Sequence, residues 1–112
     1  MTFKPVRTLA ALGLVLSATI VPAAADDTGM ASIHDLRREG GRLCMTDHWH
    51  SGSGDGGERR AAMRDAIGSW SSFTSLEYGS VWASWGRAAS KGATCAKESS
   101  GYSCSISARP CR

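Results

Sequence analysis

The sequence predicts a small, disulfide-stapled α+β domain, one main helix packed on a three-stranded antiparallel meander. Three observations predict it. The stretch from Gly57 to Gly79 carries apolar residues at helical spacing. Short segments follow it, with partial alternation and turn residues between them. Four cysteines, Cys44, Cys95, Cys104 and Cys111, sit in a chain of 112 residues, a size at which the hydrophobic core is marginal and covalent staples are expected.

The helix rests on Ala62, Ala66, Trp70 and Phe73, spaced by four, four and three, with Ile67 beside them. Asp55 or Gly56 would cap its start, Glu58 suits the positive end of the dipole, and Gly79 would close it as a left-handed cap. Strands are expected over Ser80–Ser90, Thr94–Lys97 and Tyr102–Ala108, with a turn at Lys91-Gly92 and another at Glu98–Gly101. A second helix over Val81–Ala89 is the rival for the first of these, because Ala88 and Ala89 favour helix. Before the main helix, Arg42–His50 reads as extended, and Ser51–Gly57, with four glycines in seven residues, as a flexible loop. Residues 26–41 form a polar arm in which Ser32–Glu39 could be a short helix.

The first 25 residues have the three parts of a secretory signal peptide. Lys4 and Arg7 give a positive start, Leu9–Val21 is a short apolar run, and Ala23-Ala24-Ala25 is a small-residue exit. The run is shorter than the roughly 20 residues a membrane helix needs. The expected organisation is therefore signal peptide 1–25, arm 26–41 and stapled domain 42–112, in a periplasmic or secreted protein that is not integral to the membrane. Without Lys4 and Arg7 the chain holds 11 basic and 10 acidic residues, unevenly placed: 3 and 7 over 26–58, 8 and 3 over 59–112. No aromatic-basic nucleic-acid motif accompanies that asymmetry, which argues against nucleic acid as a partner and leaves an envelope component or another protein.

In an oxidising compartment the four cysteines form two bridges, for which three connectivities exist. A two-residue turn at Ser99-Ser100 would set Cys95 opposite Cys104, leaving Cys44 for Cys111.

From Ala62 onward the residues Ala66, Ser69-Trp70, Tyr78-Gly79, Trp85, Ala88–Lys91, Cys95, Tyr102, Cys104 and Ala108–Cys111 resemble a recurrent module of small exported bacterial proteins. The resemblance implies a Trp-bearing helix, a Tyr-Gly turn and a Pro-Cys end, and it assigns no activity.

Two groups of residues carry possible chemistry. In an extended segment His48 and His50 project to one face and can grip one Zn²⁺ or Cu²⁺, with Asp47 or Asp55 adding an oxygen, Met45 and Cys44 suiting Cu(I), and His34 lying upstream. Elsewhere nothing in the chain calls for a cofactor. Trp82 and Trp85 have opposite parity in a strand, so one of them should leave the core and offer a binding surface. No nucleophile elbow or zinc-protease motif is present. The functional expectation is a non-enzymatic exported binding or envelope-associated module, with a metal-binding protein using Cys44–His50 as the alternative and a small hydrolase as a third reading.

Overall fold

The computed structural model describes residues 2–5, 13–19 and 26–112; the expected signal peptide falls largely outside the described residues. The order of elements is a 3-10 turn at Met30–Ile33, β1 (Leu36–Glu39), β2 (Arg42–Met45), β3 (His50–Gly56), α1 (Arg59–Tyr78), a second 3-10 turn at Ser80–Trp82, β4 (Ala89–Glu98) and β5 (Gly101–Arg109). β1 and β2 form a hairpin, and β3, β5 and β4 form an antiparallel sheet in that spatial order. The class is α+β as expected, but with five strands rather than three. No helix among the described residues is long and apolar enough to cross a membrane.

The glycine-rich segment is a strand, not a loop. Gly52, Gly54 and Gly56 alternate along β3 and all face α1. A Cβ at Gly52 would stand 2.5 Å from the Ala66 carbonyl oxygen, and one at Gly56 would stand 2.7 Å from the Ala62 backbone nitrogen. Helix and strand therefore meet backbone to backbone, a closeness that only glycine opposite alanine permits. The residues between them, Ser51, Ser53 and Asp55, point to solvent.

The helix ends where expected, at Tyr78 with Gly79 at φ 100°. It is capped by neither Asp55 nor Gly56: Glu58 is the N-cap, without a side-chain bond. Its buried stripe is Ala62, Ala66, Trp70, Thr74 and Tyr78. Phe73 is 60% exposed rather than in the core. A strict four-residue step keeps the stripe over β3 along its whole length, and at its last turns the small Thr74 leaves room for the His50 ring.

Residues 80–90 form neither the expected strand nor the rival long helix. Trp82 and Trp85 both turn inward. Trp82 joins Ala31, Met45 and Tyr78, and Trp85 meets Trp70 edge-on at 5.3 Å. Trp82 ends the 3-10 turn and Trp85 opens a separate turn after it, so the chain bends between them and each reaches its own cluster, whereas a strand would send them to opposite faces. Trp82, only 1% exposed, is thus core and no binding platform, and Trp85 is half-buried. The turn read at Lys91-Gly92 is instead a bulge within β4, between Ala89 and Gly92, with Ser90 at φ 52°.

The bridges join Cys95 to Cys104 and Cys44 to Cys111. The first lies across β4 and β5, where Glu98 faces Gly101 around a two-residue turn. The second, with bonds between Leu43 and Arg112 in both directions, ties β2 to the C-terminus. The expected helix over Ser32–Glu39 is replaced by the 3-10 turn and β1. Arg109, 6% exposed, reaches from β5 to both Glu39 carboxylate oxygens, at 2.5 and 2.7 Å, and to the Met45 carbonyl. These contacts lock the hairpin against the main sheet. Two disulfides fit an oxidising compartment.

Candidate metal centre

The chain has three histidines, and the fold gathers all of them at one place. His34 follows the first 3-10 turn, His48 lies between β2 and β3, and His50 opens β3. The rings of His34 and His48 stack with centroids 4.2 Å apart, and His48 meets His50 edge-on at 5.1 Å. Beneath them lies the last part of α1, with Thr74, Glu77 and Tyr78. The backbone contact of β3 with α1 sets this register, since it carries His50 directly over Thr74 and Glu77.

His50 is held at both nitrogens. Its Nδ1 is 3.2 Å from Thr74 Oγ1 and its Nε2 is 3.0 Å from Glu77 Oε2. The Thr74 hydroxyl also stands 2.7 Å from the Trp70 carbonyl. The roles at Nδ1 follow the hydroxyl rotor: turned toward His50 it donates to Nδ1 and the neutral ring donates Nε2–H to Glu77, and turned to the carbonyl it accepts from Nδ1–H. In the second arrangement the Nε2 lone pair faces the Glu77 carboxylate, and two acceptors at 3.0 Å need a cation between them. A proton satisfies this by making His50 an imidazolium, and a metal ion satisfies it by binding both atoms. Burial, the largest influence, holds the His50 pKa below its ordinary value, against the pull of Glu77. The proton is thus the disfavoured occupant at neutral pH.

His48 supplies the third donor. One ligand atom each from His48, His50 and Glu77 lies within 4.8 Å of the others. The His48 Nε2 atom is buried and has no hydrogen-bond partner, a costly state for a ring nitrogen unless something binds it. Burial, and then repulsion from His34, keeps His48 below its ordinary pKa, so the ring is a neutral ligand. Bonds of roughly 2.0–2.1 Å to Zn²⁺ put tetrahedral ligand atoms about 3.4 Å apart. The His50–Glu77 pair is already near that spacing, and Glu77, 46% exposed, is free to adjust. The carboxylate marks the solvent side of the centre. His50, with 10% of its side chain exposed, lies on the inner side. The C-terminal end of a 20-residue helix adds favourable negative potential for a cation.

Asp47 is not part of the centre. It is exposed, and among the described residues its carboxylate accepts from the neighbouring Thr46 hydroxyl alone, at 3.3 Å. In the bend between β2 and β3 the chain turns His48 inward and Asp47 outward, so the oxygen donor comes from the helix instead. Cys44 is consumed in its disulfide. Sequence reasoning missed Glu77, Thr74 and Tyr78. The four-residue step itself could have found Thr74 and Tyr78, since it places a polar Thr and a Tyr on the buried stripe; no local signal marks Glu77.

The order Glu77–His50–Thr74 is that of a carboxylate, an imidazole and a hydroxyl. It is no nucleophilic triad, because Thr74 is fully buried and no substrate reaches its hydroxyl. A shallow groove of about 560 Å³ lies elsewhere, on the sheet, lined by serines and Phe73. It has no charged lining residue and does not reach the histidines. Comparison of the chain with family models, curated proteins and solved structures found no match, and the centre stands on its geometry.

Proposed function

We propose that this chain is an exported, non-enzymatic protein that binds one divalent transition-metal ion, Zn²⁺ or Cu²⁺, through His48, His50 and Glu77. The observation that carries the reading is the His50–Glu77 contact. An imidazole nitrogen stands 3.0 Å from a carboxylate oxygen, and a ring nitrogen of His48 lies within 4.8 Å of both ligand atoms. Two nitrogens and one oxygen suit these ions by ligand type, and the soft thiolates that would select Cu(I) are absent from the centre. The export part of the reading is supported by the charged start, apolar run and small-residue exit of residues 1–25 and by the two disulfides.

The test is calorimetric titration of the oxidised protein with Zn²⁺ and with Cu²⁺, alongside His48→Ala/His50→Ala. One equivalent bound by the parent protein and none by the double variant, with both folded by circular dichroism, is the expected result. Equal heats from the two proteins would place any metal elsewhere and leave His50 and Glu77 as an ordinary proton-bridged pair.

A further inference from the structure

We infer that His34 is the fourth ligand of this centre, so that metal closes the site and clamps the segment before β1 onto the end of α1. The inference rests on the metal-binding reading and adds the donor that completes it. Three protein ligands leave a tetrahedral ion one position short, to be filled by water or by a further side chain. The remaining imidazole stands beside the three ligands, outside the cluster in which their atoms lie within 4.8 Å of one another. His34 lies against His48, 4.2 Å between centroids and 26° between planes. A rotation about its Cβ–Cγ bond would turn a ring nitrogen toward an ion held by His48.

What holds His34 away is one hydrogen bond. Its Nε2 is 2.8 Å from the Tyr78 hydroxyl. Tyr78 has an alternative partner in the Glu77 carboxylate, so releasing His34 does not orphan the hydroxyl. The exchange is balanced: His34 trades a phenol for a metal ion, and Tyr78 trades an imidazole for a metal-bound carboxylate, the outer-sphere contact that ligating carboxylates usually have.

The backbone keeps His34 within reach. The Thr28 N–H donates to the Tyr78 carbonyl at 3.0 Å and the Thr28 hydroxyl to the Glu77 carbonyl at 2.6 Å. On the other side of His34, the Thr46 N–H donates to the Asp35 carbonyl at 3.0 Å. The segment is pinned on both sides of the histidine to the parts of the chain that carry the other ligands. A centre with four protein ligands and no water holds its ion and does no hydrolysis.

The test uses Co²⁺ as a spectroscopic probe on the oxidised full-length mature chain, with His34→Phe and His34→Ala as variants. Phenylalanine keeps a flat ring to stack on His48 and lacks the nitrogen, so it separates folding from ligation. The parent protein is expected to give the intense visible absorption of four-coordinate tetrahedral Co²⁺. In both variants water takes the fourth position, so the band should shift and change intensity as an oxygen replaces a nitrogen, and Co²⁺ should bind about tenfold or more weakly. Amide exchange of residues 30–36 should slow on adding Zn²⁺ to the parent protein and stay unchanged in His34→Phe. Identical Co²⁺ spectra and affinities in parent and variants would overturn the role of His34 while leaving the three-ligand reading intact. Failure of the parent protein to bind either ion would overturn that reading itself.

Discussion

Gly54 of β3 lies directly against the backbone of Ala66 in α1, closer than any side chain would allow. This contact fixes the height and register of the helix over the strand, and through them the placement of His50 over Thr74 and Glu77. Gly54→Ala is therefore expected to force helix and strand apart. Overpacking of this kind costs typically about 1–3 kcal/mol, and here both clashing partners are backbone atoms, which places the effect at the upper end. Thermal unfolding measures it, with the exposed neighbour Ser53→Ala as a control expected to change stability by less than about 0.5 kcal/mol. Equal melting temperatures for the two variants would contradict the backbone contact.

Much of the fold was legible because its signals were local. The helix from Gly57 to Gly79, the hairpin turn at Ser99-Ser100 and the facing pair Cys95–Cys104 all follow from spacing and turn chemistry. What was not legible depended on partners far away in the chain. The alternating glycines of 52, 54 and 56 have the period of a strand, but small residues replace the usual apolar ones, and only the presence of Ala62 and Ala66 opposite explains why. A strand would divide Trp82 and Trp85 between two faces. Two separate clusters, around Met45 and around Trp70, take one each, Trp82 from the 3-10 turn and Trp85 from the turn after it. In the metal centre the histidines could be read from the sequence. Glu77 could not, because nothing local shows that the end of the helix lies beneath them.

Glu39 and Arg109 make stability depend on acid. Hydrogen bonds from the Arg109 guanidinium are the main cause that takes the Glu39 pKa from 4.5 down to about 2 in the folded chain. The unfolded chain takes up this proton at higher pH than the folded one. The pair's contribution is therefore full above about pH 4.5 and is lost as pH falls toward 2. Glu39→Gln should melt below the parent protein at pH 7, and the gap should close between pH 4.5 and 2. A gap independent of pH would contradict the assignment.

The two disulfides should contribute unequally. Cys44 and Cys111 are 67 residues apart, and Cys95 and Cys104 are 9 apart. On the chain-entropy account, the longer loop contributes about 4 kcal/mol and the shorter about 2.5 kcal/mol. Denaturant unfolding of Cys44→Ala/Cys111→Ala and of Cys95→Ala/Cys104→Ala should rank in that order. The reverse ranking would show that the C-terminal strap is not what the long loop stabilises.

Thr74 is expected to act on metal affinity without touching the metal. With metal bound, its oxygen would accept from His50 Nδ1–H and leave Nε2 as the ligand atom. Thr74→Val keeps the shape and removes the acceptor. Zn²⁺ affinity should fall by roughly 10- to 100-fold, the usual effect of losing such an orienting partner, with helical signal retained. Unchanged affinity would mean that the tautomer of His50 is not set by Thr74.

The most direct measurement is native mass spectrometry of the oxidised protein with one equivalent of Zn²⁺, repeated with Glu77→Gln. The account predicts a single added metal on a chain with both disulfides closed, with occupancy greatly reduced in Glu77→Gln. A parent protein that stays metal-free, or a Glu77→Gln variant that loads as fully as the parent, would contradict the centre formed by His48, His50 and Glu77.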